Sequence, residues 1–121
     1  MPKRVNHKPV ALLVFDGTVY DYDKYGWKGL DNLNGKPLEG AKEAIEELKE
    51  KYEVYLYSDR FTQPSGREAV EHWLEDNNIE VEGIVFQPIP HYVFIGTKMK
   101  KFPRRWKKEF IEELKAISPK D

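Results

Sequence analysis

The carboxylate best placed for chemistry in this sequence is Asp16, which directly follows a strongly apolar run. That run, Val10–Phe15, ends at Asp16, and Gly17 and Thr18 complete the usual start of a phosphate-handling site. A carboxylate at such a point can act as a general acid or base. Two residues earlier, where a site of this kind would carry a second aspartate, the chain has Val14. The strand end therefore offers one carboxylate and not a catalytic pair.

The elements that must position Asp16 alternate as they do in a parallel α/β sheet. The continuous apolar run is typical of a strand covered on both faces. We predict strands at 10–15, 52–58, 81–86 and 92–95, a long loop at 19–36, and helices at 37–51, at 64–78 and from Pro103 onward. Right-handed crossovers suit this order, and such folds bind ligands outside the carboxyl ends of their strands. That edge carries Asp16, Ser58, Gln87 and Gly96.

Length and composition narrow the class of protein. The 121 residues suffice for one domain, 1–121, and the formal net charge of -1 makes a nucleic-acid partner unlikely on charge alone. The absence of cysteine excludes thiolate chemistry and suits a reducing compartment. No stretch approaches the roughly 18 apolar residues of a membrane span. We therefore expect a soluble, cytoplasmic-type protein with no membrane association.

The order of these segments resembles the haloacid dehalogenase (HAD)-like superfamily, and within it the small, nearly capless predicted phosphatases. The resemblance covers nearly the whole chain. It rests on "FDGT" after the first strand, "LYSDR" at the end of the second, "AVEHWLEDNNIE" in the second helix, "VFI" in the last strand, and a Phe and a Trp before the final helix. It implies a three-layer, Rossmann-like parallel sheet with helices on both faces.

Several catalytic positions of that superfamily are changed in this chain. The resemblance implies an aspartate nucleophile where Val14 stands, and it makes Asp16 the remnant of the acid/base residue. Ser58 and Arg60 match the positions that hold the phosphate. Gln87, Pro88 and Ile89 stand where a lysine is expected, and Gly96 with Thr97 replaces the acidic metal-binding pair. Covalent phosphoryl transfer needs a nucleophile, and magnesium needs oxygen ligands. We therefore expect an inactive relative with no cofactor.

Other interpretations of Asp16 stay open. The motif can be shifted by two residues, so that Asp16 is the nucleophile and Thr18 replaces the acid/base residue. This is the basis of the alternative function, a magnesium-dependent phosphatase that uses Asp16. Asp16 can also be only a strand-end cap that orders the following turn. In either register the lysine and the acidic pair are absent.

Where polar catalytic groups are missing, apolar and basic side chains take their place at the predicted edge. A gathering of apolar and aromatic groups is what a protein-binding patch needs. We predict a binding surface for a protein partner formed by Val14, Phe61, Pro64, Ile89, His91, Met99, Lys98, Lys100 and Lys101. The basic run Lys98–Lys108 also leaves a third class open, an anion-binding module that includes Ser58. Because the losses concentrate at one site of an intact scaffold, an engineered origin is a further hypothesis.

Overall fold

The computed structural model describes residues 8–21, 24, 33, 35–87, 89, 93–96, 100–101 and 106–117. Within these residues, strands alternate with helices as the sequence predicts. The strands are β1 (Val10–Val14), β2 (Glu53–Tyr57), β3 (Gly83–Val85), β4 (Val93–Gly96) and β5 (Lys100–Lys101), and the helical segments are an irregular turn α1 (Phe15–Thr18), α2 (Ala41–Leu48), a 3₁₀ turn (Asp59–Thr62), α3 (Pro64–Asp76) and α4 (Lys108–Ala116). The chain is an α/β protein.

The strands form one sheet in the order β3-β2-β1-β4-β5, and every neighbouring pair is parallel. Four strands of three or more residues make up the sheet proper, and β5 adds only two residues at one side. The chain steps outward from β1 to β3 and then crosses to β4 on the other side of β1. The carboxyl ends of β1 and β4 therefore flank the point where the strand order reverses, which is where α/β sheets form their crevice.

The central strand β1 is buried on both faces, as its continuous apolar run predicts. Leu12 and Leu13 point to opposite faces of the pleat, and neither side chain is exposed. Leu13 lies opposite Leu56 and Ile95, and all three belong to the main core cluster. Burial of such side chains stabilises the fold by about 1.5–3 kcal/mol each. The strand that leads to Asp16 is thus the best-anchored element of the sheet.

The helices pack their apolar stripes onto the main core cluster. Its helical members, which recur at three- and four-residue spacing, are Ile45, Leu48, Val70, Trp73, Leu74, Phe110 and Leu114. The C-terminal helix α4 is also tied to the strand side by the hydroxyl of Tyr52, which donates a 2.7 Å hydrogen bond to the carbonyl of Leu114. These contacts fix the helices against the sheet, and the Tyr52 bond does so at the amino end of β2.

Two helices begin later than the sequence predicts. The segment at Pro37 is not yet helical, because Pro37 pairs with Tyr20 in an antiparallel bridge and α2 begins only at Ala41. The last helix begins at Lys108, so Trp106 precedes it and does not lie on its apolar stripe. In both places a tertiary contact holds the residues that a periodic pattern assigns to a first helical turn. The short strand β5 was not predicted.

Two tryptophans secure the chain around the strand end. The indole Nε1 of Trp106 donates a 2.7 Å hydrogen bond to the carbonyl of Thr18, and that of Trp73 donates a 2.9 Å bond to the carbonyl of Gly35. The backbone N–H of Gly35 donates to the hydroxyl of Tyr20 at 3.1 Å. Gly35 is thereby held on both its peptide groups.

In the part of the chain that the structure describes, no helix is long and apolar enough to cross a membrane.

Candidate functional site

The Asp16 strand end is a compact turn rather than an open loop. Gly17 has φ of 98°, a left-handed conformation that glycine adopts without steric cost. The side-chain hydroxyl of Thr18 donates to the carbonyl of Val14, and the backbone N–H of Gly17 donates to the carbonyl of Tyr20 at 3.0 Å. Each residue of the "DGT" triplet therefore has a structural task. The turn directs the carboxylate of Asp16 toward the end of β2.

The end of β2 supplies the residues that meet Asp16. Ser58 caps the 3₁₀ turn that follows β2, because its hydroxyl oxygen accepts a 3.1 Å hydrogen bond from the backbone N–H of Arg60. The same hydroxyl donates to Oδ2 of Asp16 at 3.3 Å. The 3₁₀ turn directs the side chain of Arg60 back toward Asp16, at the carboxyl ends of β1 and β2. The predicted proximity of Asp16 and Ser58 is present in the structure.

Arg60 forms a two-pronged ion pair with Asp16. Its Nη2 lies 2.9 Å from Oδ1, and its Nε lies 3.2 Å and 3.1 Å from Oδ1 and Oδ2. The Arg60 side chain has no exposed surface, whereas that of Asp16 keeps 20%. The guanidinium carbon also lies 5.6 Å from the ring centre of Tyr20. A planar guanidinium in this geometry is the strongest partner that a carboxylate finds among side chains.

A glycine in α3 makes room for this arrangement. A Cβ atom placed on Gly66 would overlap the backbone carbonyl of Arg60. The first turn of α3 therefore lies directly against the 3₁₀ turn that carries Arg60. The backbone and the side chain of Arg60 are both enclosed, and the guanidinium has little freedom to leave Asp16.

The ion pair changes what each residue can do chemically. Both oxygens of Asp16 accept hydrogen bonds from Arg60 or Ser58, so a proton transfer or a metal bond at this carboxylate would compete with the ion pair. The guanidinium of Arg60 has no exposed surface in this conformation, and the role of Arg60 as a remnant of a phosphate-binding position stays a prediction. Ser58 is buried as well. Asp16, Arg60 and Ser58 therefore form one hydrogen-bonded cluster at the strand end.

The described side chains at this edge offer few oxygen ligands for magnesium. The ion needs several oxygen ligands in a near-octahedral arrangement and is usually held by one or two carboxylates. Asp16 ends β1 at this edge, and both its oxygens already accept hydrogen bonds from Arg60; Asp59, which follows the end of β2, has a side chain outside the described part of the structure. Among the described residues, no three histidine, aspartate or glutamate side chains group together as metal ligands would.

The residues predicted to form a binding surface are partly separated by the structure. Phe61 is completely buried and packs against Phe15 at 6.3 Å between ring centres, so its assignment to the surface is wrong. Its position after a polar turn made it look exposed, but the 3₁₀ turn directs it inward. Val14 and Ile89 are half-buried and Pro64 is exposed.

The remaining predicted surface residues are described only in part. Lys100 and Lys101 form β5, beside the end of β4, and their backbones alone are described. Outside the described residues lie His91, Lys98 and Met99 of the predicted surface, together with Pro88 and Thr97 of the changed catalytic positions. Gly96 ends β4 next to the end of β1, and Gln87 is exposed after β3.

The pairing of Asp16 with Arg60 is the main feature that the residue pattern missed. The signal was present, because an acid at the end of one strand and an arginine just after its neighbour's end must lie at the same edge of a parallel sheet. Spacing alone, however, does not show whether the arginine points outward to a ligand or inward to the acid.

No family model, no curated protein and no solved structure matches this chain.

Proposed function

We propose that this chain is a catalytically inactive scaffold with a HAD-like fold that binds a protein partner through the carboxyl edge of its sheet. The observation that carries the first part is the Asp16–Arg60 ion pair, which occupies the carboxylate that catalysis would need. Val14, at the end of β1, supplies no nucleophile. In this proposal the residues at the end of β1 stabilise the fold and do not transfer phosphoryl groups.

The fold part of the proposal is a three-layer, Rossmann-like arrangement. Supporting it are the all-parallel sheet and the reversal of strand order beside β1. A further support is burial on the face opposite the main core cluster, where Leu12 and Phe94 lie opposite each other and both side chains are buried. Side chains buried there are what a second covering layer would produce.

The binding part of the proposal rests on the apolar groups that remain at the edge. Val14 and Ile89 are half-buried, and Pro64 is exposed at the start of α3. Apolar groups that keep part of their surface in water gain free energy when a partner covers them. With the carboxylate and the guanidinium turned inward, the edge presents these groups without an exposed ion pair that would need to be desolvated.

The inactive part is tested by an assay with a generic aryl phosphate and magnesium. The unmodified chain and the Asp16→Asn variant are compared under identical conditions. We expect no turnover above the protein-free rate from either. Magnesium-dependent turnover that Asp16→Asn abolishes would overturn the proposal in favour of a magnesium-dependent phosphatase that uses Asp16.

The proposed alignment of Val14, Gly96 and Thr97 with catalytic carboxylate positions is tested separately. Val14 ends β1, and Gly96 follows Ile95, which pairs with Leu13 of β1, so aspartates at 14 and 96 would end neighbouring strands. We expect a Val14→Asp, Gly96→Asp and Thr97→Asp variant to show a calorimetric magnesium signal that the unmodified chain lacks. If the folded variant gives no signal, the alignment of these positions with a metal site is incorrect.

The binding edge is tested with Pro64→Glu plus Ile89→Glu, which places two charges on the predicted surface. The matched control is Ile117→Glu, because Ile117 is an exposed apolar residue just after α4. In a chemical crosslinking comparison, a partner bound at the edge is lost from the double variant and retained by the control. A partner retained by both variants lies on another surface.

A further inference from the structure

An open sheet edge lies on the side of the molecule away from β5. Strand β3 is the last in the sheet order, and no strand pairs with its outer side in the described part of the chain. Its inner side is bonded to β2, where Glu82 N–H donates to the carbonyl of Val54 at 2.8 Å and Ser58 N–H donates to that of Val85 at 3.3 Å. The outer backbone groups of an edge strand are a template for a further strand.

Two neighbouring cavities of about 630 Å³ and 440 Å³ lie beside this edge, between β3 and α3, and share Glu71 and Ile84 in their walls. Together they are called the groove. Its apolar lining includes Val81 and Ile84, which are half-buried, and Phe86, whose side chain is 44% exposed. An exposed phenylalanine beside the outer side of β3 offers contact area for a side chain of a docked segment.

The polar lining of the groove is acidic. Four exposed glutamates lie in its walls, namely Glu71, Glu75, Glu80 and Glu82. The cation in the lining, Arg67, donates through Nη2 to the carbonyl of Phe61 at 3.2 Å. Lys49 lies 3.9 Å from Glu80 and offsets part of that charge. The groove therefore keeps a net negative charge, which attracts a basic segment and repels an acidic one.

We propose that this groove binds an extended peptide with alternating basic and apolar side chains, which adds to the sheet as a strand beside β3. Main-chain hydrogen bonds to the edge would supply affinity, and alternate side chains would enter the groove. Successive side chains of a strand point to opposite sides, so one set can reach the acids while the other covers the sheet. The groove shares Ile89 with the carboxyl-edge surface, but strand addition beside β3 does not depend on the function proposed for that surface.

The charge also argues against a second copy of this chain as the occupant. Pairing two β3 edges would bring together two grooves of the same net negative charge, each lined by four exposed glutamates. Like charges brought close together weaken strand pairing. A basic peptide meets no such penalty, so the acidic groove favours a partner of opposite charge over a second copy.

The proposal is tested by fluorescence anisotropy with a fluorescein-labelled octapeptide of alternating lysine and valine, titrated with the full chain. Three further probes share its length: alternating glutamate and valine, alternating lysine and glycine, and the lysine–valine peptide N-methylated at alternate residues. We expect the first peptide to bind at least about tenfold more tightly than each of the others, a difference of about 1.4 kcal/mol in binding free energy.

Protein variants locate the site. Glu71→Lys with Glu75→Lys reverses charge in the groove, and Glu109→Lys with Glu112→Lys makes the same charge change on α4, which does not line it. We expect the groove variant to weaken binding of the lysine–valine peptide at least about tenfold and the α4 variant to leave it within about twofold, since screening confines charge effects to about 10 Å.

Hydrogen exchange gives an independent readout. The bound lysine–valine peptide should slow exchange at the amides of Gly83–Val85 and leave those of α4 unchanged. Three results would overturn the proposal: equal binding of the N-methylated peptide, equal weakening by both charge variants, or no binding of the lysine–valine peptide. Dimerisation through β3 in analytical ultracentrifugation would also overturn it, since the occupant would then be a second copy.

Discussion

The Asp16 strand end and the β3 groove both carry acidic side chains, yet the two regions differ in what those acids do. Asp16 is matched by the fully buried guanidinium of Arg60 and by the hydroxyl of Ser58. The groove acids, such as Glu71 and Glu75, lie in solvent on one side of α3. A carboxylate that is paired inside the protein stabilises the fold, whereas one left in water is available for recognition. The carboxylate at the strand end is therefore held by the fold, whereas the groove acids are exposed to solvent.

Asp16→Ala should give the largest effect and is the most direct way to break this comparison. Removing one partner of a buried ion pair leaves the other charge uncompensated, which costs about 3–5 kcal/mol. The guanidinium of Arg60 has no exposed surface, so water cannot solvate its charge once the carboxylate is removed. We expect the free energy of unfolding, measured in urea by far-UV circular dichroism, to fall by that amount.

The matched variants of this pair sharpen the result. Arg60→Met should cost less than Asp16→Ala, because methionine fills part of the space and the Asp16 carboxylate keeps 20% exposure. The double variant should be more stable than Asp16→Ala alone, since it buries no unpaired charge. A loss below about 1 kcal/mol for Asp16→Ala, the level of an exposed pair, would contradict the structural role.

Gly66→Ala should give the next largest effect. The added methyl group would overlap the carbonyl of Arg60, so α3 must shift away from the 3₁₀ turn. Overpacking of this kind costs about 1–3 kcal/mol. Ser65→Ala, at the neighbouring exposed position, is the control and should change the urea midpoint little. If Gly66→Ala unfolds at the unmodified midpoint, the close approach that encloses Arg60 is not present.

Glu75→Lys should have a small effect of the opposite sign on stability. Glu71 and Glu75 are four residues apart on α3, and like charges at that spacing destabilise a helix. Replacing the second by lysine turns the repulsion into an attraction, so we expect the free energy of thermal unfolding to rise by about 0.4–1 kcal/mol. A clear loss of stability would show that the groove acids, like Asp16, maintain the fold.

The smallest effect should come from the surface pair Lys42–Glu46 on α2. The hydrogen bond from Lys42 lowers the pKa of Glu46 below its ordinary value of 4.5. A carboxyl whose pKa is lower in the folded state stabilises the protein above its unfolded pKa and loses that contribution as the pH falls through the folded value.

Comparing Lys42→Ala with the unmodified chain should therefore give a slight difference in melting temperature at pH 7 that disappears at acidic pH, below the folded pKa of Glu46. The temperature is followed by circular dichroism. A difference that persists or grows on acidification would mean that Lys42 acts through its packing and not through its charge.

Much of the fold follows from local patterns in the sequence. The apolar run of β1, the stripe Val70, Trp73 and Leu74, and the cap at Asn77 all lie where periodicity and cap residues indicate. These features depend on interactions between near neighbours in the chain. Pro37 and Trp106 were misassigned because contacts with Tyr20 and Thr18, far away in sequence, hold them outside their helices.

The sequence predicted where the candidate site lies in the fold, but not how its side chains are oriented. The sequence brings Asp16 and Ser58 to one edge, because carboxyl ends of parallel strands must meet there. It does not show that Phe61 turns inward or that Arg60 is completely buried, since both depend on how the 3₁₀ turn packs against Gly66. The orientation of a side chain after a strand is decided by what fills the space around it.

By itself, the sequence determined the alternation of strands and helices and the residue types at the sheet edge, including Val14, Gly96 and Thr97 where the proposed HAD-like scaffold would carry carboxylates. Only the tertiary structure decided that Asp16 and Arg60 neutralise each other and that an acidic groove remains open beside β3. The physical reason is that residue type sets which charges exist, whereas burial and distance set whether a charge is compensated within the fold or left exposed to a partner.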